Sequence, residues 1–218
     1  MVRRRRAPKG RRKQDILDSA RELFSERGFE ETSLDAIIAH SGTSKGTLYH
    51  YFASKEDLYT TVLESMLERV WAAIDLEQLA HTTSATFWQE IYNWWHKSIA
   101  LMVGSETDLR LWKDFQENMR FFNDSGPTRR LRERSLFFSE KLLSIGQEVG
   151  CVRKDLTSYQ CAELIESLDI VMDGWFFKVV QEYGIEYGFQ HQMPISLGLI
   201  WRILSPATEF TSMPVGIQ

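Results

Sequence analysis

Apolar residues recur every three or four positions along almost the whole chain, and no stretch alternates apolar and polar residues as a half-buried strand would. From Arg12 to Arg27 the apolar set is Ile16, Leu17, Ala20, Leu23 and Phe24, one face of a helix. Gly28 closes that helix, because a residue just past a helix end takes a positive φ that glycine adopts without a Cβ penalty. Thr32 or Ser33 can cap a second helix through His40, which the Ser41-Gly42 pair breaks. Ser44 can cap a third, ending near Phe52, and Ser54-Lys-Glu-Asp57 opens a fourth running to about Asp75. Longer helices are predicted over about 84–103, 107–122, 127–149, 157–183 and 195–204, with 206–218 as a loose tail. The predicted fold class is all-α.

Charge divides the chain where its net value does not. The total is -4, yet residues 1–60 carry +3 and residues 61–218 carry -7. Eight of the 12 Lys and Arg in residues 1–60 lie in an arm from Arg3 to Lys13, while all seven Trp fall beyond residue 60. This pattern predicts a basic arm over 1–11, a small domain over 12–60 and an aromatic-rich body over 61–205. No apolar run reaches the roughly 18 residues of a membrane span. The basic start lacks the apolar segment of a signal peptide, so a cytoplasmic location is expected. Cys151 and Cys161 have no metal-ligand spacing and read as buried thiols. Neither an H-E-x-x-H nor a phosphate loop occurs, so no enzyme, cofactor or metal is expected.

Two short helices joined by a tight turn containing glycine make a helix-turn-helix. In the second, Leu48 and Phe52 lie four apart and point inward, which leaves Lys45, Thr47, Tyr49 and His50 for a duplex. Lys45 can donate to guanine O6 and N7, and Tyr49 can meet a thymine methyl or donate to an acceptor in the major groove. Gly46 permits close approach of the backbone. The stretches Gly28-Phe-Glu-Glu-Thr-Ser-Leu-Asp and Gly42-Thr-Ser-Lys-Gly-Thr-Leu-Tyr-His-Tyr-Phe-Ala-Ser-Lys-Glu-Asp-Leu58 resemble the signature of the tetracycline-repressor (TetR) family of transcription regulators, over about residues 12–66. Thr43 departs from the pattern, which more often has an apolar residue there. The resemblance implies base contacts by Lys45, Gly46 and Tyr49, and phosphate contacts by Ser33, Thr47, His50, Tyr51 and Lys55, with Ser44 in the same interface. The arm would follow phosphates or an adjacent minor groove.

For the body the resemblance implies ligand binding and dimerisation, without residue-level transfer. Its aromatic and Met side chains suggest a hydrophobic or aromatic ligand among Trp88, Trp95, Met102, Trp112, Phe115, Met119, Phe138, Met172, Trp175 and Phe176. Helical stripes of this kind are more often core than pocket. Asp169 and Asp173 could receive a cation or pair with a base; Arg129, Arg130, Arg132 and Arg134 could hold a phosphorylated ligand or form a solvated helix end. His96 could face a ligand or be a satisfied histidine. The helices over about 157–183 and 195–204 are expected to form a homodimer. Their stripes are Leu164, Leu168, Val171 and Trp175 on one, and Leu197, Ile200, Trp201 and Leu204 on the other. A two-fold dimer implies a palindromic operator in double-stranded DNA. The expected function is a repressor that releases its operator when ligand binds; a DNA-bound regulator without an inducer, or an activator, is the alternative.

Overall fold

The structure, a computed structural model, describes residues 9–118 and 126–206. The arm up to Pro8, Met119 of the ligand set, and the tail from 207 onward lie outside the described residues. Every regular element among the described residues is helical. In order they are α1 (Lys9–Glu31), α2 (Leu34–Ser41), α3 (Lys45–Tyr51), α4 (Lys55–Trp71), α5 (Leu76–Ala80), α6 (Phe87–Val103), α7 (Glu106–Asn118), α8 (Gly126–Val149), α9 (Ser158–Tyr183), α10 (Ile185–Tyr187) and α11 (Met193–Leu204). A π turn, Gly188–Gln192, leads into α11.

Two compact units divide the chain out of sequence order. One comprises Met1–Arg69 with Met102–Leu131, the other Val70–Leu101 with Arg132–Gln218. The first is built around Ile16, Leu23 and Phe24 of α1, Ile37 of α2, Leu48 of α3, Leu58 and Val62 of α4, and Leu111 of α7. Gly28 breaks α1 with φ 77 and ψ 172, a region open essentially to glycine alone. Ser33 is the cap of α2, its Oγ accepting the Ala36 amide. Thr32, the other expected cap, is buried, and its hydroxyl donates to Leu23 O at 3.1 Å and Gly28 O at 2.7 Å.

Two carboxylates of α7 hold the same unit together. Asp108 is buried and accepts from Arg21 of α1 at 2.8 Å and from Arg69 of α4 at 2.8 Å. Asp114 accepts the Tyr59 hydroxyl at 2.6 Å and the Phe29 amide at 3.1 Å. Burial, then the Asp114 hydrogen bond, push the Tyr59 phenol well above its ordinary range, so it remains a donor. Tyr59 also meets Phe24 edge-on, with ring centroids 4.9 Å apart.

The second unit has its own core, with Leu79, Phe87 and Trp88 packed against Leu142, Leu143, Val152, Ala162 and Trp201. Cys151 and Cys161 are free thiols fully buried in this core. Thr157 opens α9 with a reciprocal capping box to Gln160. Here one expectation is corrected. Leu197, Trp201 and Leu204 are buried, the last two in this unit's own core with Ile200 packed against it, so they do not form an outward stripe. The exposed apolar residues of α11 are Ile195 and Leu199, and those of α9's predicted stripe are Leu164, Val171 and Trp175. Helical period identifies an apolar face without saying which neighbour covers it; α11 is apolar on two faces.

Candidate nucleic-acid interface

The turn between α2 and α3 is set by Gly42 at φ 63, with the Ser41 and Thr43 hydroxyls 2.8 Å apart across it. Thr43 thus contributes a hydroxyl contact where the resemblance leads one to expect an apolar side chain. Ser44 caps α3: its Oγ accepts the Thr47 amide at 3.2 Å and lies 2.9 Å from Thr47 Oγ1. Leu48 and Phe52 face inward, both buried. With that side committed to the core, the opposite edge of α3 carries Lys45, Gly46, Tyr49 and His50, all exposed. Tyr51 is half-buried, packed against the core and 4.9 Å ring to ring from His50. Thr47 is half-buried and Ser33 exposed.

Gly46 has no packing reason in the fold. A Cβ there would meet nothing within 4 Å, and the residue sits inside a helix, where glycine costs about 1 kcal/mol relative to alanine. Lys55 is placed differently from the exposed edge. Its ammonium donates to Phe29 O at 2.8 Å and Glu30 O at 3.2 Å and stands 4.3 Å from the Phe29 ring centroid.

The described residues singled out for a ligand fall in both units. Met102, Trp112 and Phe115 pack with the core of the first unit. Trp88 and Phe138 belong to the core of the second, where Trp88 Nε1 donates to Cys151 O and Phe138 stacks on Trp71. Trp95 is half-buried, Met172 is buried, Phe176 packs on Phe189, and Trp175 is exposed. His96 is exposed, near the Tyr92 ring. In the arginine cluster, Arg130 pairs with Asp57 at 2.6 Å, Arg132 pairs with Glu166 at 3.0 Å, and Arg134 lies over Trp71. Sequence reasoning passed over Asp108 and Asp114. Their signal was present in the spacing, since Asp108 lies three residues before the buried Leu111 and Asp114 three after it.

Asp169 stands on the α9 side that also carries Ile165, Met172 and Phe176. The protein crowded around it, then Asp173 and Glu166, lift its carboxyl to about 7, although water still reaches the side chain. Folded protein therefore holds this proton more tightly than unfolded chain. The consequence is stability that falls as pH rises from about 4 to about 7 and stays level above. Asp169→Asn should raise the melting midpoint by about 2–5 °C at pH 8 and scarcely at pH 4. An equal difference at both pH values would contradict this assignment.

Residues 16–62 match the family described as bacterial regulatory proteins, tetR family. Residues 16–62 form a TetR-family domain. This TetR-family domain is 47% identical over 57 residues to the HTH-type transcriptional regulator UidR of Escherichia coli, a stretch covering 26% of this chain and 29% of that protein. The match thus spans less than a third of the curated relative. The family and these relatives are transcriptional regulators and not enzymes. Over nearly the full length the fold resembles SmeT, the repressor of the Stenotrophomonas maltophilia multidrug efflux pump SmeDEF. There the TM-score is 0.66 at 15% identity, covering 94% of this chain and 95% of SmeT. A gamma-butyrolactone receptor is similar at TM-score 0.51 and 22% identity, with 92% and 91% coverage. These structural likenesses concern the fold: an N-terminal helix-turn-helix domain followed by a helical body. Among the described residues no helix is long and apolar enough to cross a membrane.

Proposed function

We propose that this chain is a homodimeric transcription repressor whose α3 reads a palindromic operator and whose body releases it on binding a hydrophobic small molecule. The observation that carries the DNA-reading part is the exposed edge of α3. It presents Lys45, Tyr49 and His50 around a glycine that the fold does not require. A bare backbone at Gly46 lets a duplex approach where any side chain would stand in the way. Lys45, Gly46 and Tyr49 are the base-reading residues. Ser33, Ser44, Thr47, His50 and Tyr51 line the phosphates and set register, and the arginine arm adds sequence-independent charge. The dimer face is the exposed apolar surface of α9 and α11. Two copies meeting there would hide side chains that a monomer leaves in water.

The working division is reading by residues 12–60 and response by residues 61–205. Ligand acts only through its differential affinity for two arrangements of the dimer. A roughly thousandfold loss of operator affinity requires about 4 kcal/mol of coupling. The test of the reading surface is Tyr49→Ala on a duplex enriched by the wild-type chain from a random pool. Affinity should fall about tenfold or more, with preference relaxed at one position in each half-site. Unchanged affinity and preference would remove Tyr49 from the reading surface.

A further inference from the structure

The turn that follows Gly28 is held from several sides. Asp114 Oδ2 accepts the Phe29 amide at 3.1 Å, and Thr32 Oγ1 donates to Gly28 O at 2.7 Å. From the first residue of α4, Lys55 Nζ donates to Phe29 O at 2.8 Å and Glu30 O at 3.2 Å, over the Phe29 ring at 4.3 Å. The Phe29 and Glu30 carbonyls lie beyond the Gly28 break, in a single turn with no further helix to supply their donors. At the start of α4, by contrast, a cation opposes the dipole of its own helix. The Lys55 charge is therefore stabilised across the junction, by the carbonyls of the turn after Gly28, rather than within α4.

We propose that Lys55 is a positioning residue, a clamp between the end of α1 and the start of α4 that fixes where α3 leaves the core, and not a phosphate contact. Only Phe52, Ala53 and Ser54 separate α3 from Lys55. Phe52 is buried, the Ala53 amide donates to Asp57 Oδ2 at 2.9 Å, and the Asp57 amide donates to Ser54 Oγ at 3.1 Å. The link is thus tied to the first turn of α4, so releasing that turn from α1 shifts the carboxyl end of the reading helix. Lys55 is the one residue among those assigned to phosphate whose charged group is engaged with backbone carbonyls of its own unit. The inference rests on the reading that this head binds DNA.

Lys55→Met keeps much of the stem and removes the charge, whereas Lys55→Arg keeps donors for both carbonyls. Full-length proteins are titrated with the enriched duplex across a salt series, at a temperature where all are folded. The Met variant is expected to bind about tenfold more weakly with an unchanged slope of log affinity against log salt, and the Arg variant to retain affinity. A slope shallower by about 0.9 signals one lost phosphate contact and overturns the proposal. Unchanged affinity with a lowered melting midpoint also overturns it, since Lys55 then only stabilises. Hydrogen exchange of free protein supplies the independent arm: amides 29–33 should exchange faster in the Met variant and not in the Arg variant. Unchanged exchange rejects the clamp. If the wild-type chain binds no duplex, the regulator reading has failed, and the exchange result still decides the clamp.

Discussion

Alanine at Gly28 is expected to lower the melting midpoint by about 10 °C, far more than one added methyl group ordinarily costs. Two effects combine. At φ 77 and ψ 172 the backbone occupies a region where any Cβ is strained, about 1–3 kcal/mol. In addition, a Cβ would stand 2.6 Å from Asp114 Oδ1. That carboxylate cannot simply swing away, because it already accepts from the Tyr59 hydroxyl, the Phe29 amide and the Asn118 side chain. Displacing it leaves the buried Tyr59 hydroxyl without its acceptor, a further loss of about 1–3 kcal/mol. Asp114→Ala should be destabilising by a similar hydrogen-bond loss. In the double variant the clash is gone and only the strain and that loss remain. The combined effect should therefore be smaller than the sum of the singles. Thermal or urea denaturation of the four proteins checks this, and strict additivity would mean that Gly28 and Asp114 are not in contact.

Val171→Asp is expected to turn a dimer into a monomer while leaving each chain folded. Val171 is 69% exposed on α9, between Leu164 and Trp175, so the carboxylate costs the isolated chain little. In a two-fold interface the substitution enters twice, once from each copy. At about 2 kcal/mol per buried, unpaired charge, the dissociation constant should rise by about a thousandfold. Sedimentation at micromolar concentration reads the outcome, and circular dichroism establishes that helix content is kept. Leu197→Asp provides the contrast. Leu197 is buried within the single chain, so a carboxylate there should unfold the protein rather than merely separate two copies. A Val171→Asp protein that remains dimeric would move the interface elsewhere.

Local rules made the head readable before any coordinates. Ser44 capping α3, Gly28 and Gly42 at positive φ, and Leu48 with Phe52 turned inward all depend on residues within about four positions of one another. What escaped was set by tertiary neighbours. Asp108 and Asp114 act on residues more than 38 positions away, and nothing in their own helix specifies Arg21, Arg69, Tyr59 or the Phe29 amide as partners. On α11, period alone could not separate Leu197 and Trp201, which are buried, from Ile195 and Leu199, which are exposed. The five-residue α5, capped by Asp75, is too short to carry a periodic signal. Lys55 was legible as a charge but not as one turned toward the carbonyls of α1.

Selection of random double-stranded DNA by the full-length wild-type chain tests the central claim most directly. A two-fold symmetric site should be enriched, with half-sites about one helical turn or a multiple apart, and Tyr49→Ala should weaken that enrichment. Recovery of no preferred sequence at physiological salt would contradict the assignment of α3 as a reading helix.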